Sequence, residues 1–532
     1  MKFFILLIFW LSAIKALYIP RSSGSSFSWS GFLPGVSWIG IKDASDDQEA
    51  FENWVLSQSN ISFNGILQNI GGLSSILSSS EVSYGVVVAS PSKTNPDYFY
   101  QWTRDSALTL RSLIYWLDDH GFPSNSEISK IVESYIENNY HLQRLPNFSG
   151  DFNDVTKKSL GEPKFHTNGE SFNQNWGRPQ SDGPGLRIST IFNYFELLNK
   201  YGKSITNDFL KNDANIYFKI IKFDLIYIIN NWNINSFDLW EEINSKHFFN
   251  SITQLRALKD GIALVKRYEP HNEDFIKQLS SIFDQLKNYI LNDSGFTNPS
   301  IPYLVETPPL LNSGKRSGLD AATLLGSIHS HNLENSISYE DIPFDVNNNY
   351  IFNTVISMVS DMKYRYPINH DKIRFKQNIG VGLGRYPEDV YDGYGSSEGN
   401  PWFISTATAA EIFYKTIFKY INNKEDILIN NSNKEFFKLF FDDEMNEDED
   451  FKIPFNTPEF NRLIKSLLNY ADSFLIIIKD HVDSQNGDIL EQFNKYHGYM
   501  QGANKLTWSF SSFYNSVRWR IKAIDSINDN LN

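Results

Sequence analysis

The sequence predicts an all-α protein. Apolar residues recur at three- and four-residue steps from about residue 50 onward, the pattern of helices that bury one face. Strand-like alternation is nearly absent, with Val86–Val88 a short exception. Long polar segments rich in Gly, Pro and aromatic residues alternate with shorter connections, which suits a bundle with one elaborated end.

About twelve helices are expected, near 50–70, 106–118, 128–142, 185–200, 216–231, 247–267, 273–291, 320–330, 350–365, 403–421, 461–480 and 506–525. The period is clearest in Phe248, Ile252, Leu255, Leu258, Ile262 and Val265, in Phe275, Leu279, Ile282, Leu286 and Ile290, and in Ile464, Leu467, Ala471, Phe474 and Ile478. Six long loops precede the even-numbered helices: Tyr98–Asp105, Glu162–Gly185, Phe237–Glu242, Lys315–Asp320, Arg385–Trp402 and Glu491–Trp508. If consecutive helices run antiparallel, all six loops share one end, and long loops in a compact protein usually carry function.

The 532 residues are 41% hydrophobic and 21% charged, a globular composition. The net charge of −14 argues against nucleic acid and anionic membrane as partners. With no cysteine, disulfides, thiolate metal sites and a cysteine nucleophile are excluded. Residues 1–16 read as a secretory signal peptide: Lys2 is the charged start, Phe3–Ile14 the short apolar run and Ala16 the small residue at the cut. Residues 17–45, with the Ser/Gly-rich Arg21–Gly31, read as a flexible lead-in, and 46–525 as one domain. No other stretch approaches 18 uninterrupted apolar residues, so no membrane association is expected once the signal is removed. Asn60, Asn147, Asn292 and Asn430 head glycosylation sequons, which with the leader favours the secretory pathway. Asp442–Asp450 holds seven acids in nine residues and reads as a solvated loop.

HExxH and GxxxxGK[ST] are missing, and Gly380-Val-Gly382-Leu-Gly384 lacks the glycine spacing and preceding strand of a nucleotide loop. The ten histidines show no ligand spacing; His329 and His331, the closest pair, read as surface residues. No metal or cofactor is expected.

What remains is a set of acids among aromatics and arginines. In Phe237-Asp-Leu-Trp-Glu-Glu242 a carboxyl beside an indole and a second carboxyl would hold its proton more tightly, as a general acid requires. The same acids would also suit the first turn of the helix that follows. Glu491, after the Asn486-Gly487 turn, is a candidate second carboxylate or a solvent-exposed loop acid. Gln101-Trp-Thr-Arg-Asp105, Trp176-Gly-Arg-Pro179 and Arg385-Tyr-Pro-Glu-Asp389 each set an arginine beside an aromatic, a pattern suited to gripping sugar hydroxyls or to a structural ion pair.

At these residues the chain resembles fungal glucoamylases of the yeast type, glycoside hydrolase family 15. The resemblance runs from about Ser57 to Arg520 and rests on Asn95–Ala107, Trp176–Pro184, Phe237–Glu242, Gly384–Tyr391, Gly399–Trp402, Glu491–Phe493 and Leu506–Ser509. It implies an (α/α)6 barrel, a six-hairpin toroid with its site at one end, over the 46–525 catalytic domain. It further implies Glu241 as general acid and Glu491 as general base. Asp238 is a second candidate base, disfavoured because it lies only three residues from the acid. Tyr98, Trp102, Arg104, Asp105, Trp176, Leu239, Trp240, Glu242, Arg385, Tyr391 and Trp402 would line the subsites. Phe172 stands where the family often has Tyr, which would remove a hydrogen bond there. The sequence runs about 24 residues past Trp508, with no starch-binding domain expected.

The implied activity is exo-hydrolysis of terminal α-1,4 bonds, and more slowly α-1,6 bonds, of starch, dextrins or glycogen, with inversion and release of β-glucose by a monomer that is secreted, wall-associated or vacuolar. An enzyme of similar fold acting on trehalose or glucodextran, and a silent glycan-binding protein, are the alternatives.

Overall fold

A computed structural model describes residues 44–73, 77–370, 378–441 and 450–531. The signal peptide, the Ser/Gly-rich lead-in and all but Asp450 of the acidic run lie outside the described residues.

Twelve helices make up the described chain: α1 Ala44–Gln68, α2 Thr103–Asp119, α3 Glu127–Leu142, α4 Asp182–Tyr201, α5 (Asp213–Ile216 continuing through Tyr217–Ile221 and Lys222–Asn231), α6 Phe248–Tyr268, α7 Glu273–Asn288 continuing through Tyr289–Asp293, α8 Ala321–Ser330, α9 Asn349–Arg365, α10 Phe403–Asn422, α11 Pro458–His481 and α12 Thr507–Asn530, apart from single-turn pieces. Every expected helix is present, with ends shifted by a few residues. α11 starts earlier than its apolar period suggests because Thr457 caps it by accepting from Phe460 N and Pro458 occupies its first turn.

Each even-numbered helix packs against the next, and α12 packs on α2, closing a ring. The odd-numbered helices lie outside, α3 against α2, α5 against α4, α7 against α6, α9 against α8, α11 against α10 and α1 against α12. The inner helices are therefore covered nearly all round: α4 is buried from Asp182 to Leu198, and α8 is buried along its whole length. A helix buried on every side must satisfy its polar residues internally. Arg187 of α4 meets Asp224 of α5, Nε donating to Oδ2 at 2.8 Å. The C-terminal carbonyls of α8 accept from three cations on other inner helices: His329 O from Arg111 of α2 (3.1 Å) and Arg256 of α6 (2.8 Å), and Ile328 O from Lys415 of α10 (3.0 Å). These charges compensate the negative end of the α8 dipole inside the ring.

His329 and His331 are buried, not on the surface as the sequence suggested. Near the inner end of α8, His331 Nδ1 lies 3.0 Å from Ser327 O and Nε2 3.0 Å from Ile342 O, contacts invisible to spacing alone. Strand structure is also slightly richer than expected. Two-stranded antiparallel ribbons join Tyr100–Trp102 to Lys164–His166, Ser236–Phe237 to Asn244–Ser245, Ile427–Ile429 to Phe451–Ile453, and Gln492–Phe493 to Met500–Gln501. At two or three residues each, they are too short to show a period. Val87 forms only an isolated bridge with Ile70. Three of the ribbons lie within or beside the loops that precede inner helices, where they stiffen the rim.

Arg187→Met should leave Asp224 buried without its cation. The expected cost is about 3–5 kcal/mol, read as a lowered denaturation midpoint.

Candidate active site

The loops before the six inner helices converge on one network. The turn Asp238–Ile243 lies between the paired strands Ser236–Phe237 and Asn244–Ser245, so its two glutamates belong to a hairpin and not to the first turn of α6. Asp238 builds this turn. Its buried Oδ1 accepts from Glu242 N (2.8 Å) and Ile243 N (2.7 Å). Glu241 sits at the tip with φ 68°, a left-handed conformation that costs energy for a side chain other than glycine and is characteristic of functional turns.

The Glu241 carboxyl is gripped on one oxygen. Oε1 accepts from Trp102 Nε1 at 2.7 Å, Gln180 Nε2 at 2.8 Å and Arg104 Nη2 at 3.5 Å. Three donors crowd Oε1, and no hydrogen bond of this set reaches Oε2. Arg104 also donates to Gln180 Oε1 (2.8 Å) and Asp182 Oδ2 (3.0 Å), and its Nε lies 3.5 Å from Asp105 Oδ2. Three carboxyls thus share one guanidinium. Burial pushes Asp105 up to about 6 although Arg104 opposes it.

Glu242 leaves the same tip toward a different set of partners. Arg385 Nη2 donates to its Oε1 at 2.8 Å, Arg316 Nη2 to its Oε2 at 2.8 Å, and Tyr386 OH also donates to Oε2. Burial raises its pKa, but the two arginines and the tyrosine outweigh burial and hold it below its ordinary value. This departs from the expectation that Glu242 would act as a like-charge neighbour of the acid, because its charge is already matched. Arg385 is in turn fixed by Asp389 (Nε to Oδ2, 2.8 Å), and its guanidinium lies 5.3 Å from each of the Trp240, Tyr391 and Trp402 rings.

Glu491 enters from the ribbon before α12 and is 1% exposed, not a surface acid. Burial pushes it up to about 7; Tyr98, Arg385 and Tyr391 favour its charged form and oppose that rise. The hydroxyls of Tyr98 and Tyr391 are 2.9 Å apart. The Tyr98 ring lies 5.6 Å from that of Trp102, the residue that donates to Glu241. Both carboxyls therefore belong to one network of rings, and no hydrogen bond joins them. Trp240 and Trp402 stand 5.6 Å apart, Trp102 and Trp176 6.0 Å apart, and Leu239 is buried beneath the hairpin. Phe172 packs edge-on to Trp176 at 5.8 Å.

Five participants were absent from the sequence-derived set. Gln180 lies inside the Trp176–Pro184 motif, and Arg316 inside the loop before α8. Tyr386 adjoins Arg385. Lys164 is buried, its Nζ 3.5 Å from the Trp176 ring centre and 4.5 Å from that of Trp102, and burial pushes its pKa down to about 8. Gly502 has φ 80°, and a Cβ there would come 2.3 Å from Glu491 Oε2. Only its position after Glu491 hinted at it. Among the described residues no group of His, Asp or Glu side chains could hold a metal ion.

Residues 60–517 match the model of glycosyl hydrolases family 15. The chain belongs to glycosyl hydrolases family 15. Its family 15 relatives include a glucoamylase of Saccharomycopsis fibuligera, 39% identical over 489 residues that cover 90% of this chain and 91% of the relative. An intracellular, sporulation-specific glucoamylase of Saccharomyces cerevisiae is 38% identical over 492 residues, 90% of this chain and 86% of that protein. The atomic-resolution structure of a Saccharomycopsis fibuligera glucoamylase superimposes with a TM-score of 0.83 over 89% of this chain and 96% of that one, at 39% identity. That of Hormoconis resinae glucoamylase does so at 0.75, over 88% of this chain and 73% of that one, at 32% identity. The closed ring of six inner and six outer helices is the (α/α)6 toroid of family 15.

Gly502→Ala should strain the backbone at φ 80° and also displace the Glu491 side chain, which a Cβ would meet at both Oε2 and Cβ. At least a tenfold loss of hydrolytic turnover is expected, together with a lowered thermal unfolding midpoint, whereas a variant with wild-type turnover would detach Gly502 from the placement of Glu491.

Proposed function

We propose that this family 15 enzyme removes single glucose units from the non-reducing ends of α-1,4-linked glucans such as starch, dextrins and glycogen, cutting α-1,6 branches more slowly. The observation that carries this reading is the contrast between its two carboxyls. Glu241 has one oxygen crowded by donors and one left to deliver a proton. Glu491 is a buried carboxylate faced by two hydroxyls. Two acids in unlike surroundings divide into acid and base.

In this reading Glu241 Oε2 protonates the glycosidic oxygen as the C–O bond breaks. Glu491 takes a proton from a water that attacks the anomeric carbon from the other face. One displacement on an oxocarbenium-like centre inverts it, so the product is β-glucose, and such a pair needs roughly 6.5–9.5 Å between carboxyls for the water to fit. Tyr98 and Tyr391 would orient that water beside Glu491. Arg104, Asp105 and Arg385 would hold the hydroxyls of the terminal sugar. Trp102, Trp176, Trp240 and Trp402 would pack against sugar rings and exclude bulk water. Glu242, held by its two arginines, would accept hydroxyl hydrogen bonds as a fixed anion. Leu239 would support the hairpin from beneath. Asp238 would serve as the brace of the turn and not as the base, since its Oδ1 is already engaged by two backbone N–H groups.

The catalytic domain of this reading is 46–525, acting as a monomer. The leader and the sequons support passage through the secretory pathway to the medium, the wall or a vacuole.

Glucose release from maltose, maltoheptaose and glycogen tests the activity, with trehalose and glucodextran as controls; release from trehalose alone would refute it. Glu491→Gln should lose several powers of ten in kcat while remaining folded. Tyr98→Phe removes a hydroxyl that favours ionised Glu491. The Glu491 pKa should then rise, and the acidic limb of the kcat/KM profile should move to higher pH. A limb that stays in place would detach Tyr98 from the base.

A further inference from the structure

Behind the hairpin that carries Trp240, Glu241 and Glu242 lies a second group of acids that the mechanism does not use. Glu306 and Asp320 are 3% and 5% exposed. Both line a cavity of about 10 Å³, with Thr307, Leu310 and Arg316 also on its wall. The two acids are held very differently. Asp320 Oδ1 accepts from the indole Nε1 of Trp240 at 2.9 Å and from Ala322 N at 2.8 Å, where it caps α8. Glu306 receives only the N–H of Phe249, at 3.2 and 3.3 Å from its two oxygens. Donors favour charge on Asp320, whereas Glu306 has little to stabilise a charge.

The charged and titratable groups around the pair supply no free cation. Asp238, on the hairpin, adds a like charge to both. Arg316, on the loop before α8, is engaged by Glu242 at 2.8 Å. His247, just before α6, has Nδ1 2.9 Å from Thr307 Oγ1 and Nε2 3.1 and 2.9 Å from the carbonyls of Ser236 and Ile243, and burial favours its neutral form. Burial pushes Glu306 well above the usual carboxylate range, with Asp320 the next cause. Burial also raises Asp320, against the pull of its two donors and of Arg316, whose guanidinium is itself paired with Glu242.

We propose that Glu306 and Asp320 are positioning residues that carry one negative charge between them, the proton on Glu306 and the charge on Asp320, and that this charge state seats the Trp240 ring in the sugar-binding wall. Losing the proton from Glu306 would set two adjacent buried carboxylates, with Asp238 a third, in a space without a spare cation. The Asp320–Trp240 hydrogen bond is the link through which that repulsion would reach the substrate. Loss of the proton should therefore weaken substrate binding as the pH rises, through KM more than through kcat. The inference rests on Trp240 being part of the sugar-binding wall, as the proposed function has it.

Two measurements on the full chain test it. The first is the pH dependence of kcat and KM on maltose for the wild type, Glu306→Gln and Asp320→Asn. Glu306→Gln keeps the shape and neutrality of the protonated acid; its alkaline limb of kcat/KM should move up by about one pH unit or more, with the change in KM. If Glu306→Gln does not fold, Asp320→Asn, which removes the second charge and keeps an acceptor oxygen, should move the limb the same way. A limb identical to the wild type in the folded variant would overturn the proposal, as would a shift confined to kcat. The second measurement needs no activity. The Trp240 contribution to fluorescence, the difference between wild type and Trp240→Phe, should titrate with pH in the wild type and be flat over that range in the Glu306→Gln background. Equal titration in both would overturn the proposal. Absence of glucose release from the wild type would instead count against the proposed function and leave the fluorescence result to decide this one.

Discussion

Six helices that pack side by side and close on themselves leave no free edge, and everything else in this chain follows from that closure. Alternate helices are pressed to the outside, so inner helices are covered on all faces and their polar residues must find partners within the ring. Arg111, Arg256 and Lys415 do so on the last carbonyls of α8, and Arg187 on Asp224. Closure also fixes direction. With an outer helix between each inner pair, every inner helix begins at the same rim, and the six loops before them have only the mouth of the ring to cross.

That crowding explains the chemistry at the mouth. Distant parts of the chain supply donors to a shared acceptor: Trp102 and Arg104 from one stretch and Gln180 from another all reach one oxygen of Glu241. The strained tip at Glu241 sends successive side chains to separate partners, so Glu241 and Glu242 are held by different donors despite being neighbours. Glu491 arrives from another ribbon and is isolated by burial. In the proposed function roles are assigned by environment: three glutamates of identical chemistry serve as proton donor, fixed anion and base.

The helices were legible in the sequence because their apolar period repeats over many turns, as in Phe248 to Val265. Their arrangement as a closed ring was not, since periodicity shows that a face is buried and not against what; the resemblance of the motif blocks supplied it. The site was legible as a set of residues, because acids and arginines beside tryptophans in long loops are conspicuous. Its wiring was less so. Gln180 is an ordinary amide in sequence, and its bridge between Arg104 and Glu241 exists only once two loops meet. His329 and His331 looked like surface residues because a histidine pair carries no mark of burial. Asp238 is a candidate base in sequence, and its hold on the turn through Oδ1 exists only once the hairpin has formed. Glu306 and Asp320 passed unnoticed, since nothing in their local sequence indicates that they share a cavity.

The central claim is that two carboxyls, held apart by the rings between them, act from opposite faces of one sugar with a water beside the second. The anomeric form of the first glucose released from maltoheptaose, followed by proton NMR before mutarotation, tests that claim most directly. The account predicts β-glucose, relaxing afterwards toward the equilibrium mixture. Initial release of α-glucose would mean two displacements or attack from the same face, and would contradict it.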